Sequence, residues 1–554
     1  MFVINGLLGI RKASHNQPQS EVMRVLPLLL PLLAALVLAG SAPGSSSAPP
    51  RLLGLGVSNG GHPFAGDTRE LATVSPNGDR LRDHAYFRFR LDRPATVETQ
   101  VVATDEVRRP GKIVWDVRRM LPAGPHVIEW TPQRGIAART YLVRFLVHGL
   151  HGGKRVYGFE APRSHRLTSG LVVRILGVEA SLPQRSYPQG GPATVSISTD
   201  ARSVRIQVFA YAGTGMRDPN TNAFAITPSV QLDWRKHRNA PHLVDVGRSG
   251  TWASGLYFLR VTTPDGRVAY APLILRPRRL GEHRVAVVFP TDTWQAYNFR
   301  DGNGDGWGDS WYIGGATRTI DLRRPYVEPG LPYRFHDWSA TIATWLRQTG
   351  KAVDYISDDD LAAAKDGSEL RNAYDLVVFA GHEEYVTAHA YDVVERYRDL
   401  GGNLMFLSAN NFFWKVTRKG QTLSRVQLWR KLGRPEAALV GVQWVAGNQG
   451  QGEKPYVVEG ASSAPWAFVG TGLANGSTFG GSGVEIDARA ASSPAGIVVL
   501  ARIPSAIGRN DAEMTYYRSS SGAQVFAAGA LDFTASLGSP VVAQLVDNVW
   551  ARLS

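Results

Sequence analysis

The chain has 554 residues, 44% of them hydrophobic and 14 of them Trp, which excludes a mainly disordered protein and leaves room for about three or four domains. Its formal charge of +14 is carried by Arg spread along the chain, without a block of like charge or a nucleic-acid motif. Nucleic acid is therefore excluded as the expected partner, and a diffuse attraction to an acidic cell envelope is retained. The absence of Cys excludes a thiol nucleophile, a Cys-bound metal, an acyl-anchored lipoprotein and every disulfide, so a metal here must be held by His, carboxylate or phenolate.

Residues 1–42 read as a targeting segment. Met23 and Arg24 form a charged start, 25–39 an apolar middle, and Gly40, Ser41 and Ala42 small residues for cleavage. The apolar run is shorter than the roughly 20 residues a membrane span needs and contains Pro27 and Pro31. A cleaved signal, with Met23 as the true start, is favoured over a retained anchor, and the protein is expected to be secreted or held in the cell envelope. Residues 43–67 are expected to be a linker.

From 68 to 165 the chain is β-rich: 86–91, 96–102 and 141–147 are strand-like runs between turn clusters such as Ser75-Pro76-Asn77-Gly78-Asp79. Together with RLDRPATV (90–97), LPAGPHVIEW (121–130) and TYLVRF (140–145), this stretch resembles the immunoglobulin-like modules of the flagellar-hook-cap type, which implies a β-sandwich that presents or spaces something else. A second β-sandwich module is expected over 166–280, from TVSIS (194–198), VRIQVF (204–209), GLYFLRV (255–261) and VAYAPLIL (268–275). Within it Trp234 and Tyr211 are read as core or inter-domain packing, with a sugar-stacking face as the alternative.

From 281 to 554 the pattern is α/β. VAVVF (285–289) and LVVF (376–379) are buried strands, 352–356 is a third, and 338–348 and 359–364 are helical. After 376–379 come the polar cluster 381–384, a helix through Ala390, Val393, Val394, Tyr397 and Leu400 that stops at Gly401-Gly402, and a strand at 404–407 ending in Ser408-Ala409-Asn410-Asn411. Such a strand–helix–strand unit makes a right-handed crossover in a parallel sheet, and ligands bind at the carboxyl ends of its strands. Both polar clusters are therefore expected on one rim of a mainly parallel sheet. Strands at 497–501, 514–518 and 524–528 and a helix at 540–553 complete the domain; 434–493, rich in Gly and Ser, is expected to be a β-containing insertion or lid.

Two sets of residues on that rim could do chemistry. His382 and Glu384 can ligate a metal or act as acid and base, or else cap the following helix. Tyr297, after the first strand, is either a packing residue or a hard oxygen donor. The loop Asp301-Gly302-Asn303-Gly304-Asp305-Gly306 matches the first half of a calcium loop, making Asp301, Asn303 and Asp305 candidate ligands of a structural Ca2+, although Tyr312 stands where the closing Glu belongs.

The ordered set TWQAYN (293–298), SWY (310–312), GHEEY (381–385), GGNLMFLSANNFFW (401–414) and GVEID (483–487) resembles the C-terminal domain of the large subunit of N,N-dimethylformamidase, over about 283–554. The wider core resembles the glutamine-amidotransferase-like α/β fold, without the nucleophilic Cys of those enzymes. The resemblance implies hydrolysis of a C–N amide bond of a small molecule at a mononuclear ferric ion. It places the metal ligands at Tyr297, Tyr312 and Glu384, with Tyr326 the alternative for the second tyrosine, and the catalytic partners at His382, Asn410 and Glu485. A non-catalytic envelope or carbohydrate-binding protein that keeps the fold is the alternative function.

Overall fold

The computed structural model describes residues 48–554 except 105–109, 159–169, 212, 249–251, 313–316 and 449–451; the expected signal segment, 1–42, lies outside the described residues. The chain is a multidomain, sheet-rich protein with several sheets. Among the described residues no helix is long and apolar enough to cross a membrane.

The first β module pairs a three-stranded sheet (Leu52–Ser58, Ala85–Leu91, Gly124–Trp130) with a six-stranded one. Phe87, Phe89, Trp130, Tyr141 and Phe145 fill the space between them. Both expected boundaries of this module shift. Part of the supposed linker is the edge strand Leu52–Ser58, hydrogen-bonded to Ala85–Leu91. At the other end Leu171–Ile175 pairs with Leu71–Val74 and Thr140–Gly149, so it belongs to the first module and not the second. Pro110–Leu121, a 12-residue strand on Ala95–Thr104, has too many charges to read as a strand from its sequence.

The second module has a three-stranded sheet (Glu179–Ser181, Pro192–Ser198, His242–Arg248) and a six-stranded one built on Ser203–Ala210, Gly255–Thr262 and Val268–Arg276. Trp234 is 1% exposed and Tyr211 2% exposed, which overturns the sugar-stacking alternative. Trp234 belongs to the module core, and Tyr211 packs against Phe258 and against Phe335 of the last domain. Phe209, Leu256, Phe258, Tyr270 and Ile274 share one hydrophobic cluster with Val285, Val287, Phe289 and Phe335. The apolar core therefore runs straight through the expected boundary at 281.

The last domain carries an eleven-stranded sheet. Five strands, in the order Asp354–Ser357, Val285–Phe289, Leu376–Phe379, Asn403–Phe406 and Gln524–Ala527, are parallel. The sheet continues antiparallel through Asn510–Arg518, Val498–Ile507, Glu453–Val458, Thr478–Ala488 and Gln443–Gly447. It is therefore mixed, where a mainly parallel sheet was expected. Residues 434–493 are no separate lid: they supply three strands of this extension, whose amphipathic β character is diluted by Gly and Ser and so hard to read. A four-stranded sheet (Thr319–Asp321, Thr422–Leu428, Trp414–Lys419, Tyr385–Thr387) covers the carboxyl rim.

Candidate functional site

Three chain segments leave the parallel strands at the carboxyl rim and meet there. After Val285–Phe289 the short buried helix Thr291–Ala296 ends with Tyr297, whose N–H bonds back to Thr293. After Leu376–Phe379 come His382, Glu383 and Glu384, all at most 5% exposed. After Asn403–Phe406 come Asn410 and Asn411; the Asn411 Oδ1 accepts the Glu383 N–H at 3.2 Å, and the Glu384 carbonyl accepts the N–H of Trp414 at 2.9 Å. Glu485 and Asp487 arrive from the antiparallel half. Standing two apart on Thr478–Ala488, they share a sheet face.

The Tyr297 hydroxyl donates to Glu384 Oε2 at 2.5 Å. The Tyr312 ring lies edge-on to Tyr297 at 5.0 Å, its hydroxyl facing Tyr333. Arg324 brings Tyr312 there across a long Gly-rich loop. Its buried guanidinium donates to the carbonyls of Gln295, Arg300 and Asp309 and so closes the loop onto the helix, after which the Trp311 N–H bonds Ala296. Tyr326 points elsewhere, toward Arg185, Arg324 and Gln295, so of the two alternatives Tyr312 is the one beside Tyr297. Tyr385 also faces Glu384.

His382 Nε2 stands 3.6 Å from Glu384 Oε2 and 3.9 Å from Glu485 Oε2, and neither ring nitrogen has a hydrogen-bond partner. Burial dominates over those carboxylates and lowers its pKa to about 3, so the imidazole is neutral. Burial raises Glu384 to about 7, partly countered by the Tyr297 hydrogen bond, and pushes Glu485 well above the carboxylate range, helped by the charge of Glu384. Asn410 Nδ2 donates to Glu485 Oε2 at 2.6 Å, while its Oδ1 is buried without a partner. Both oxygens of Asp487 accept the Asn410 N–H, at 2.9 and 3.0 Å, and burial lifts this acid to about 7.

Backbone strain concentrates here. Arg334, Asn410, Phe412, Val484 and Asp532 all have positive φ, and for a β-branched residue such as Val484 (φ 62°) that is a true outlier. Asp532 accepts the indole N–H of Trp338, and Trp338 forms a wall against Tyr297 and His382. The aromatic lining of Tyr333, Trp338 and Tyr385, the anchor Arg324, and the acids Asp487 and Asp532 are not readable from the sequence. Their only signal is a dense run of aromatics between polar turns.

Glu383 points the other way. Its oxygens find no donor and it faces another buried carboxyl, Asp358, burial raising the pKa of both; Asp292, raised to about 8 by burial, completes this second acidic cluster under Arg185. The loop 301–306 is closed by its own side chains. Asp301 accepts from the N–H groups of Gly304 and Gly306 and from the Thr140 hydroxyl, while Asn303 and Asp305 each accept a local N–H. Among the described residues no group of three or more His, Cys, Asp or Glu side chains is arranged to hold a metal ion.

A family model described as N,N-dimethylformamidase beta subunit-like, C-terminal, matches residues 207–547, more than half the chain. The chain belongs to this family. The match begins inside the second β module, consistent with the core that crosses residue 281. No curated protein matches the chain. Solved structures with some likeness include the mmIFT52 N-terminal domain (12% identity, 38% of this chain and 89% of that one, TM-score 0.26). Another is trypsin-activated alpha-2-macroglobulin from Escherichia coli (12% identity, 42% and 18%, TM-score 0.22). Neither likeness bears on function.

Proposed function

We propose that this family member is a metal-dependent hydrolase of a C–N amide bond in a small molecule, with a mononuclear ferric ion that Tyr297, Tyr312 and Glu384 would hold. The observation that carries the reading is the buried Tyr297–Glu384 contact at 2.5 Å, beside Tyr312 and a histidine without a partner on either nitrogen. Phenolate and carboxylate oxygens suit a hard cation, and burial keeps these phenols protonated unless a cation displaces the proton. When bound, such an ion polarises a carbonyl and lowers the pKa of a water.

The chain's own groups supply the rest. Neutral His382 offers one ring N–H to the substrate carbonyl oxygen as charge builds on it. Glu485 holds its proton at neutral pH, gives it to the amide nitrogen as the C–N bond breaks, and regains one from the attacking water. Asn410 keeps Glu485 in place, and the aromatic lining excludes bulk water. The reading includes an extracytoplasmic location, on the strength of the leader-like residues 1–42.

Iron-loaded protein is expected to show a visible tyrosinate band and to hydrolyse members of a panel of small N-alkyl amides. Tyr297→Phe should remove both while the protein stays folded. A colourless protein that takes up no iron would overturn the reading and leave the non-catalytic envelope or carbohydrate-binding protein.

A further inference from the structure

The first β module leaves one edge of its larger sheet open. That sheet runs in the order Leu71–Val74, Leu171–Ile175, Thr140–Gly149, Ala95–Thr104, Pro110–Leu121. Its first edge lies against the last domain, where Leu71 and Val172 pack on Trp307. At the other edge Pro110–Leu121 is bonded to Ala95–Thr104, and among the described residues no further strand pairs with it. A strand of 12 residues is long for an edge, and its outer row of backbone N–H and C=O groups is a template for another strand. Proteins commonly blunt such an edge with charge. Here the order of the charges is self-complementary instead.

Asp116 and Arg118 are both exposed and, two residues apart, share a sheet face. No ion pair engages either of them among the described residues, and Glu98, the cross-strand neighbour of Arg118, accepts from the Gln100 amide. Laid antiparallel against a second copy about a two-fold axis through Val117, the strand sets each Asp116 opposite an Arg118 and each Trp115 opposite an Arg119, and brings each Val114 to a Met120. Met120 is 68% exposed and Val114 38%, so this register covers two apolar side chains that nothing else covers. Moving the axis by one residue either way sets Asp116 on Asp116 or Arg118 on Arg118. The β-bulge at Val114 ends the regular run and confines the pairing to 114–120.

We propose that the first β module joins two copies of this chain edge to edge, through Pro110–Leu121 antiparallel to itself about Val117. An isologous contact of this kind uses up the open edge of both copies and closes as a dimer. The contact is short and buries little area, so the dimer forms and dissociates with concentration.

The test is sedimentation of the full chain over about 1–100 µM, where a monomer–dimer equilibrium is expected. Asp116→Arg and Arg118→Asp should each weaken association at least about tenfold by setting like charges opposite one another. An equal mixture of the two variants, and a chain carrying both changes, should recover it, which separates this edge from association through any other surface. A second readout uses the absence of Cys. Val117→Cys puts the only thiol of each copy on the axis, where Cα atoms of facing residues lie about 4.5–5.5 Å apart, within disulfide reach. Mild oxidation should link this variant as a dimer and leave Val127→Cys, exposed on the other sheet, as a monomer. A monomer throughout the concentration range, association indifferent to the charge reversals, or equal cross-linking of the two cysteine variants overturns the proposal.

Discussion

Asn410 shows how much one residue can be asked to do at this rim. It occupies a left-handed backbone conformation (φ 55°), gives its N–H to Asp487 and its side-chain N–H to Glu485, and keeps a carbonyl oxygen unpaired. Asp487 is the group that fixes it. Its pKa rises from 3.8 to about 7 on folding, so the folded chain holds the proton more tightly than the unfolded chain does. Stability should therefore fall as pH rises from about 4 to about 7 and be level beyond. Asp487→Asn is expected to flatten the stability curve in that window relative to the parent, as read by urea unfolding at a series of pH values; parallel curves would refute the assignment. At Tyr297 the change to Phe removes one of the donors that face buried Glu384, a loss of about 0.5–1.5 kcal/mol, so the variant should melt slightly lower but remain folded.

At the scale of elements, the loop 301–306 decides how the first β module meets the last domain. Gly306 has φ 87°, and a Cβ there would stand 2.3 Å from Leu142 Cδ2. Trp307 beside it packs among Leu71, Val102, Leu142 and Val172 of the first module. Gly306→Ala combines an unfavourable backbone conformation with overpacking, for a cost of about 2–4 kcal/mol. Limited proteolysis should then cut between the module and the domain faster than in the parent. An unchanged cleavage rate would show that the loop carries little of the docking energy. In the same loop the D-x-N-x-D-G run forms a chain of side-chain-capped turns that meets the Thr140 hydroxyl and the Leu142 methyl across the interface.

For the whole molecule, the continuous cluster that joins Phe209, Leu256 and Phe258 to Val287, Phe289 and Phe335 makes the second β module and the α/β domain one folding unit. A fragment beginning at His283 would expose this face and is expected to be insoluble or molten. One beginning at residue 177 should melt cooperatively in calorimetry. A well-folded fragment from His283 would contradict the shared core. Charge links the same two parts beneath the candidate site, where Arg185 of the second module pairs with Asp359 at 2.6 Å and lies 3.9 Å from Asp292.

By itself the sequence determined the local elements and the rim. Buried runs such as VAVVF and LVVF admit little but central strands, the Gly401-Gly402 stop ends a helix, and strand ends followed at once by HEE and ANN place polar groups on one edge. Its residue types singled out Tyr297, His382 and Glu384 as candidates, and the family resemblance carried by the order of its motifs added Tyr312, Asn410 and Glu485. Tertiary structure alone decided which tyrosine stands beside Tyr297, that the sheet turns antiparallel after Gln524–Ala527, and that Asp487, Trp338 and Arg324 hold the others in place. The reason is range. Strand and helix periodicity is written in neighbouring residues, whereas a carboxylate two residues past Glu485 or an arginine closing a loop matters only through a partner far off in the chain, and spacing carries no record of that meeting.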